Sequence, residues 1–425
     1  MRTLTLVGLL LVAISASFAT WETQEIDWYY IYFLPYFPGY IWVTGMYQNS
    51  MVLDNNRHPH VAYLKLIDQG QFQIKYCQAY GSFTKELVGT ISSDGLTRTD
   101  YVPDVALVLD SSGNPHIFVA TYINNTDGGS VYHYYKSGGN WVCEPIDFLP
   151  NGEQLNPNQT IRISAKQDSQ GHFHVIYSMN WLLLGNGYRI RYATNKTGSW
   201  VVTDAYWNGG YYPITGCDLE VCTSDWPMIS FVEKTAANTM RVRYTWYEEY
   251  IDEQSGQLVK IWHPCTVDEL TSYGSEINEL GETQLEITSD NQPMISYYLP
   301  KTSEYDYRFM IALRDSDGDW HKSTIDSSAT YVPGVYNSLA LKASDEPDVT
   351  YSKQGHLWFG IYDGSWDLSC IFETSVSGLY NHLVLDPTDD GWYMTHVCNS
   401  SGYSHLFIQW WDPIKSEKGL AWLRS

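Results

Sequence analysis

The sequence predicts an all-β protein: a seven-bladed β-propeller of four-stranded antiparallel blades, its ring closed by an N-terminal strand. Three observations predict it. A short pattern, an Asp/Gly turn leading into an apolar strand, recurs seven times at intervals of 45 to 66 residues. A Trp with Ile five residues later opens the last strand of several of these units. One unmatched copy of that Trp pattern stands near the front of the chain. A unit of this length, repeated seven times and unable to bury its faces alone, is a propeller blade.

The turn-and-strand pattern reads LDNNRHPHVAY at Leu53 to Tyr63, LDSSGNPHIFVATY at Leu109 to Tyr122 and QDSQGHFHVIY at Gln167 to Tyr177. It continues as PMISF at Met228, PMISY at Met294, PDVTY at Asp348 and, more worn, GWYMTH around Tyr393. A third strand follows, carrying Tyr in QIKYC, RIRYA and RVRYT. The fourth strand is the most regular: WVCEPI at Trp141, WHKSTI at Trp320 and WDLSCI at Trp366, with WVVTDA at Trp200. The 35 Tyr, 17 Trp and 13 Phe, set among 32 Gly, suit short aromatic strands between tight turns. No long stretch has helical periodicity.

The last unit has three strands, at about Leu379 to Leu385, Trp392 to Val397 and Ser404 to Trp411, and no Trp pattern after them. The missing strand is WETQEI, Trp21 to Ile26, which would pair with the end of the chain and leave no open sheet edge. The tail KGLAWLRS, Lys418 to Ser425, competes for that place.

Residues 1–19 have an early Arg, an apolar run and a small-x-small end at Ser17-Phe18-Ala19, the pattern of a signal peptide. The expected division is a leader over 1–19, a propeller over 20–411 with an aromatic insert at 27–48, and a tail over 412–425. The apolar run is shorter than a membrane span requires, so a secreted, extracellular or cell-surface protein without a transmembrane segment is expected. A formal charge of −23 sets aside nucleic acid and acidic membrane as partners. Seven cysteines without a C-x-x-C pair read as buried free thiols, with one or two disulfides as the alternative.

The repeated D-x-x-G-x-P-H-[I/V]-x-Y stretch and its G-x-W turns resemble a family of secreted, mostly bacterial propellers, distantly similar to the Asp-box propellers that include sialidases. The resemblance covers most of Trp21 to Trp411 and speaks to architecture, since one propeller hosts many functions. Sialidase-like chemistry, as that relationship implies, needs three arginines around a carboxylate, a Tyr/Glu nucleophile pair and an acid Asp. Arg189, Arg191, Arg241, Arg243 and Arg308 sit in or beside third strands. Only Arg98 and Arg162 remain as catalytic candidates near the axial mouth, with no third partner evident.

The repeat histidines His60, His116 and His174 are expected to be packed or hydrogen-bonded between blades, because Met228, Met294 and Asp348 stand in for them elsewhere. The turn acids Asp54, Asp110 and Asp168 satisfy hairpin turns, and RDSDGDW at Arg314 to Trp320 falls short of a calcium loop. No metal or cofactor is expected, with Ca2+ as the alternative at these turns. No G-x-S-x-G, H-E-x-x-H or P-loop motif occurs.

Function is then expected where the repeat is broken. Ligand-contact candidates on one loop face are Tyr101, Trp181, Trp207, Tyr211, Tyr212, Tyr331 and Tyr336, whose rings suit sugar stacking or protein contact. Trp28, Tyr29, Tyr30, Tyr36, Phe37, Tyr40 and Trp42 belong to the Asp27 to Gln48 insert, which must cover its own propeller mouth or another molecule. The leading expectation is an exported, non-catalytic recognition or scaffold module for glycan or extracellular protein. The alternatives are a glycoside hydrolase or polysaccharide lyase with its site at the axial mouth, and a self-assembling subunit of a homo-oligomer, filament or surface layer.

Overall fold

The computed structural model describes residues 22–30, 32–36, 39–43, 46–68, 71–80, 82–92, 103–122, 129–148, 162–181, 187–209, 214–236, 239–252, 255–271, 282–373, 377–386, 391–400 and 403–411. These form seven four-stranded antiparallel sheets and one two-stranded hairpin. The inner strands of blades one to seven are Met46–Leu53, Asp104–Leu109, Ile163–Gln167, Ile214–Val221, Thr283–Ile287, Val335–Leu341 and Leu379–Leu385. Each neighbours the next, and the seventh neighbours the first, so they line a closed ring. Among the described residues no helix is long and apolar enough to cross a membrane.

Strand alternation sends apolar side chains to both faces of each blade, and every seam between blades holds one apolar cluster. Blades one and two share Ile74, Tyr76, Leu107 and Ile117. Blades seven and one share Val397, Leu406, Met51 and Val61. The ring is therefore held by seven equivalent interfaces, with no single central core.

The ring closes within the chain. Glu22–Tyr30 pairs antiparallel with Tyr403–Trp411, from Glu22 opposite Trp410 to Tyr30 opposite Tyr403. The closing strand runs past the Trp-x4-Ile pattern because its partner offers backbone groups as far as Tyr403. The backbones of Trp28, Tyr29 and Tyr30 therefore belong to the blade, and Met46 to Gln48 belong to the first inner strand. What remains of the insert is a hairpin, Tyr32–Tyr36 with Gly39–Val43, whose backbone carries Tyr36, Tyr40 and Trp42. The leader, the tail and Phe37 lie outside the described residues.

One side-chain pair recurs across the seams. A buried Tyr on a second strand donates its hydroxyl to an Asp on the outer strand of the preceding blade: Tyr63 to Asp27 at 2.9 Å, Tyr177 to Asp147 at 2.5 Å, Tyr297 to Asp268 at 2.9 Å and Tyr351 to Asp326 at 2.8 Å. Each Asp also meets a cation, Lys322 beside Asp268 and Lys353 beside Asp326 among them. Where the Tyr is absent the partner changes with it. Phe231 packs on Tyr206 at a ring separation of 4.7 Å, and His396 packs on Phe372 at 4.7 Å. Asp27 directly follows the Ile of the unmatched Trp pattern, so the closing strand supplies the same clasp. Three lysines surround it: Lys65 at 3.2 Å, Lys85 at 3.6 Å and Lys75 at 3.9 Å.

The repeat histidines are structural. His60 bonds the Tyr76 hydroxyl, His174 bonds the Tyr192 hydroxyl at 2.7 Å, and His116 bonds His133 at 2.8 Å. The turn acids each accept backbone N–H groups two and four residues on, as Asp110 does from Ser112 and Asn114. None of the seven cysteines is in a disulfide, and Cys77, Cys217, Cys222 and Cys398 are buried.

Burial alone would raise the Asp27 carboxyl, but Lys65, the Tyr63 hydroxyl and Lys85 together hold it below the usual carboxylate range. A carboxyl depressed in the folded state stabilises above its unfolded value, and that contribution is lost as pH falls through the folded one. Asp27→Asn is expected to cost about 1.5–3 kcal/mol in urea unfolding at pH 7. The difference from the parent should shrink as the pH drops below about 4; equal stability at pH 7 would refute the clasp.

Candidate functional site

The inner strands enclose an axial cavity of about 720 Å³. Cross-strand register shows which residues are equivalent around it. Lys166, Glu220 and Glu286 lie opposite His174, Met228 and Met294, as Val52 lies opposite His60. Four places earlier on each inner strand is a ring of seven positions at the mouth, about 13 Å away along the strand. Asp104, Arg162 and Glu282 form a charged arc of this rim, Tyr336 and Tyr380 an aromatic arc, and Gln48 and Gly216 complete it.

The two tyrosines are held in an unusual backbone conformation. Tyr336 has φ of 51° and Tyr380 of 47°, the left-handed region that disfavours side chains by about 1–2 kcal/mol. Gly216, at the equivalent place in blade four, has φ of 53° and meets no such penalty. Each tyrosine sits in a β-bulge, between Val335 and Ser338 and between Leu379 and His382. The next residue secures the bulge. Asn337 donates to the Gly334 carbonyl at 3.0 Å and Asn381 to the Gly378 carbonyl at 2.9 Å. The rings of Tyr336 and Tyr380 lie 4.7 Å apart. Tyr380 also packs against the apolar clusters at the two seams of blade one, with blade seven and with blade two.

On the charged arc, Arg162 pairs with Glu282 across blade four, where Gly216 has no side chain to obstruct them. Asp104 accepts the N–H of Val105 at 2.9 Å and that of Ile163 at 3.0 Å, one on each oxygen. Burial pushes its carboxyl up to about 6, with Arg162 and the two N–H groups limiting the rise. Gln48 is only 5% exposed, and its Nε2 has no hydrogen-bond partner among the described residues.

Below the rim, side chains serve the backbone edge. Ser50 accepts from Leu107 N–H at 3.1 Å, Asp218 from Leu285 N–H at 2.9 Å and Ser338 from Leu383 N–H at 2.9 Å, each reaching to the next blade. Asn49, Thr283 and Asn337 reach back, donating to the carbonyls of Tyr380, Gly216 and Glu282. One layer deeper, Lys166 pairs with Glu220, and Glu286 stands beside them. No group of three or more His, Cys, Asp or Glu among the described residues is placed to hold a metal ion.

The structure thus brings Arg162 and Tyr336 to the rim. Trp207 ends the outer strand Val201–Trp207, 55% exposed with Arg189 over its ring, and does not line the cavity. Tyr331, also exposed, precedes blade six and does not line it either. Trp28 is exposed on the closing strand, edge-on to Tyr403 at 5.6 Å. Arg98, Tyr101, Tyr211 and Tyr212 lie outside the described residues, as do the side chains of Trp181, Tyr29, Tyr30, Tyr36, Tyr40 and Trp42. Sequence reasoning missed Gln48, Asp104, Glu282, Tyr380 and the deeper charged layer. A signal for Tyr380 exists: Gly334-Val335-Tyr336-Asn337 is repeated as Gly378-Leu379-Tyr380-Asn381.

No protein-family model matches the chain, and no curated protein matches it. Among solved structures, an ulvan lyase bound to GlcA(1-4)Rha3S units is 11% identical with a TM-score of 0.54, covering 85% of this chain and 93% of that one. The alpha-L-arabinofuranosidase of Fusarium graminearum, in complex with an iminosugar inhibitor, is 10% identical with a TM-score of 0.50, covering 93% and 98%. The Aleuria aurantia lectin is 11% identical with a TM-score of 0.46, covering 78% and 99%. At these identities the likeness is one of fold.

The Asp104 carboxyl should titrate with a midpoint near 6 in a carbon-13 NMR pH series. Arg162→Met should move that midpoint upward, because the guanidinium is the strongest influence holding it down. A midpoint in the ordinary carboxylate range, or one indifferent to Arg162, would contradict this account of the rim.

Proposed function

We propose that this chain is an exported, non-catalytic carbohydrate-recognition protein that takes a saccharide at the axial mouth. The observation that carries the reading is the rim itself. Two tyrosines held at positive φ stand at the edge of a cavity of about 720 Å³, and the buried Gln48 amide on the same rim has an N–H without an acceptor among the described residues. Unfavourable backbone geometry persists where it aims a side chain that something else requires. A flat aromatic arc beside convergent polar groups suits a sugar ring, whose apolar face stacks while its hydroxyls bond.

The charged arc supports binding over hydrolysis. Glycoside hydrolysis uses two available carboxyl groups across the bond. Here both Asp104 oxygens are occupied by backbone N–H groups and Glu282 is paired with Arg162. The ulvan lyase and the arabinofuranosidase add that this fold accommodates saccharide ligands in other proteins. The leader-like residues 1–19 are the support for placing the protein outside the cell. One observation favours a hydrolase as the second reading: Glu286 and Glu220 are adjacent acids in the cavity wall, with Glu286 held well above the usual range by burial and then by Glu220.

A glycan array followed by calorimetry should find a saccharide ligand whose affinity falls about tenfold or more in Tyr336→Ala and Tyr380→Ala. Tyr336→Gly separates binding from folding. It should lose affinity while its stability stays within about 1 kcal/mol of the parent, since Gly tolerates positive φ. An array with no binder, or full affinity in both alanine variants, would defeat the reading; turnover of a bound oligosaccharide would favour the hydrolase.

A further inference from the structure

The acids and bases of the axial cavity can be accounted for one by one. Among the described residues three Lys or Arg side chains line it, and each is taken by one acid: Arg162 by Glu282, Arg57 by Asp386 and Lys166 by Glu220. Four acids remain. Asp104 and Asp218 are occupied by backbone N–H groups of their own and the next blade. Asp54 accepts the N–H groups of its turn, from Asn56 and His58. The carboxyl of the fourth, Glu286, makes no hydrogen bond among the described residues, although the residue lines the cavity.

We propose that the axial cavity receives an amine-bearing glycan, with Glu286 as the group that takes the ammonium. This rests on the rim reading and names the ligand class for it. The cavity wall has two glutamates and one lysine side by side on blades three, four and five. With Asp218 also facing them, the set holds an excess of acid that is relieved in two ways: a proton stays on Glu286, or a second ammonium arrives and makes a second ion pair. Burial first, and then the charge of Glu220, favour the proton when the cavity holds no ligand.

The groups facing Glu286 from its neighbours are Glu220, Lys166 and Asp218. On blade seven, His382 lines the same cavity, and its Nδ1 has no partner among the described residues. Burial, and then Lys166, lower that imidazole to about 4, so it is neutral and does not repel a cation. Among the described residues the wall holds seven carboxyl groups against three bases, which opposes a uronate or sulfated sugar. Rim and acid are about 13 Å apart, a distance that two or three linked sugars span.

The test compares three trisaccharides by calorimetry at pH 6, where the ligand amine is protonated: triglucosamine, its fully N-acetylated form, and trigalacturonate. The expected order is amine first, by about tenfold over the acetylated form, and uronate last. Amine binding should release protons, read from the heat in two buffers of different ionisation enthalpy. Glu286→Gln should abolish both the preference and the release. Lys166→Met should tighten amine binding, and it serves as the second variant if the first does not fold. Equal affinity for amine and acetylated forms, a uronate preference, or an amine preference indifferent to both substitutions would overturn the proposal and leave the rim reading standing. Failure of all three sugars to bind would overturn the proposal and count against the rim reading as well.

Discussion

The buried tyrosine hydroxyl held by a carboxylate of the preceding blade is the contact on which the rest of the structure depends. A blade has two apolar faces and no stability of its own, so its position must be specified at the seam. Apolar packing presses blades together without fixing their register, and a directional bond from a second strand to a neighbour's outer strand does fix it. Four seams use the bond, and two others exchange both members for packed rings. At the last seam the Asp comes from the opposite end of the chain, so closing the ring and clasping blade one are one event.

A second constraint acts at the axis. Inner strands present unpaired backbone groups to the cavity, and an unpaired buried N–H or carbonyl is costly. Ser50, Asp218 and Ser338 reach forward to the next blade, and Asn49, Thr283 and Asn337 reach back. Blade two has Ala106 at the forward position, and there Asp104 takes the neighbouring N–H from the rim instead. Structural demand thereby consumes most of the polar groups around the axis. Among the described residues the Gln48 amide, the Glu286 carboxyl and His382 Nδ1 are left over, and with the strained tyrosines they are the groups the cavity offers a ligand.

Sequence and structure agree where side chains repeat and part where they do not. The blades were legible because Asp54, Asp110 and Asp168 hold the same turn, and because the Trp-x4-Ile strand has a fixed apolar face. The stray copy at Trp21 exposed the closure for the same reason. Its length was not legible, since Asp27 to Tyr30 join the strand through backbone pairing that leaves no side-chain pattern. The rim was hidden because its seven positions hold seven unrelated roles, from Gly216 to Arg162, and only cross-strand register shows that they are equivalent. Trp207 and Tyr331 drew attention by being aromatic in loops, yet exposure alone does not bring a ring to the cavity.

The most direct test of the account is hydrogen exchange on a chain that starts at residue 31 and so lacks the closing strand, compared with the chain that has it. The account requires loss of protection in Tyr403–Trp411 and in the first inner strand, Met46–Leu53, together with a broader unfolding transition. Unchanged protection in both strands, with the same unfolding midpoint, would show that the ring holds without its clasp and would contradict the account.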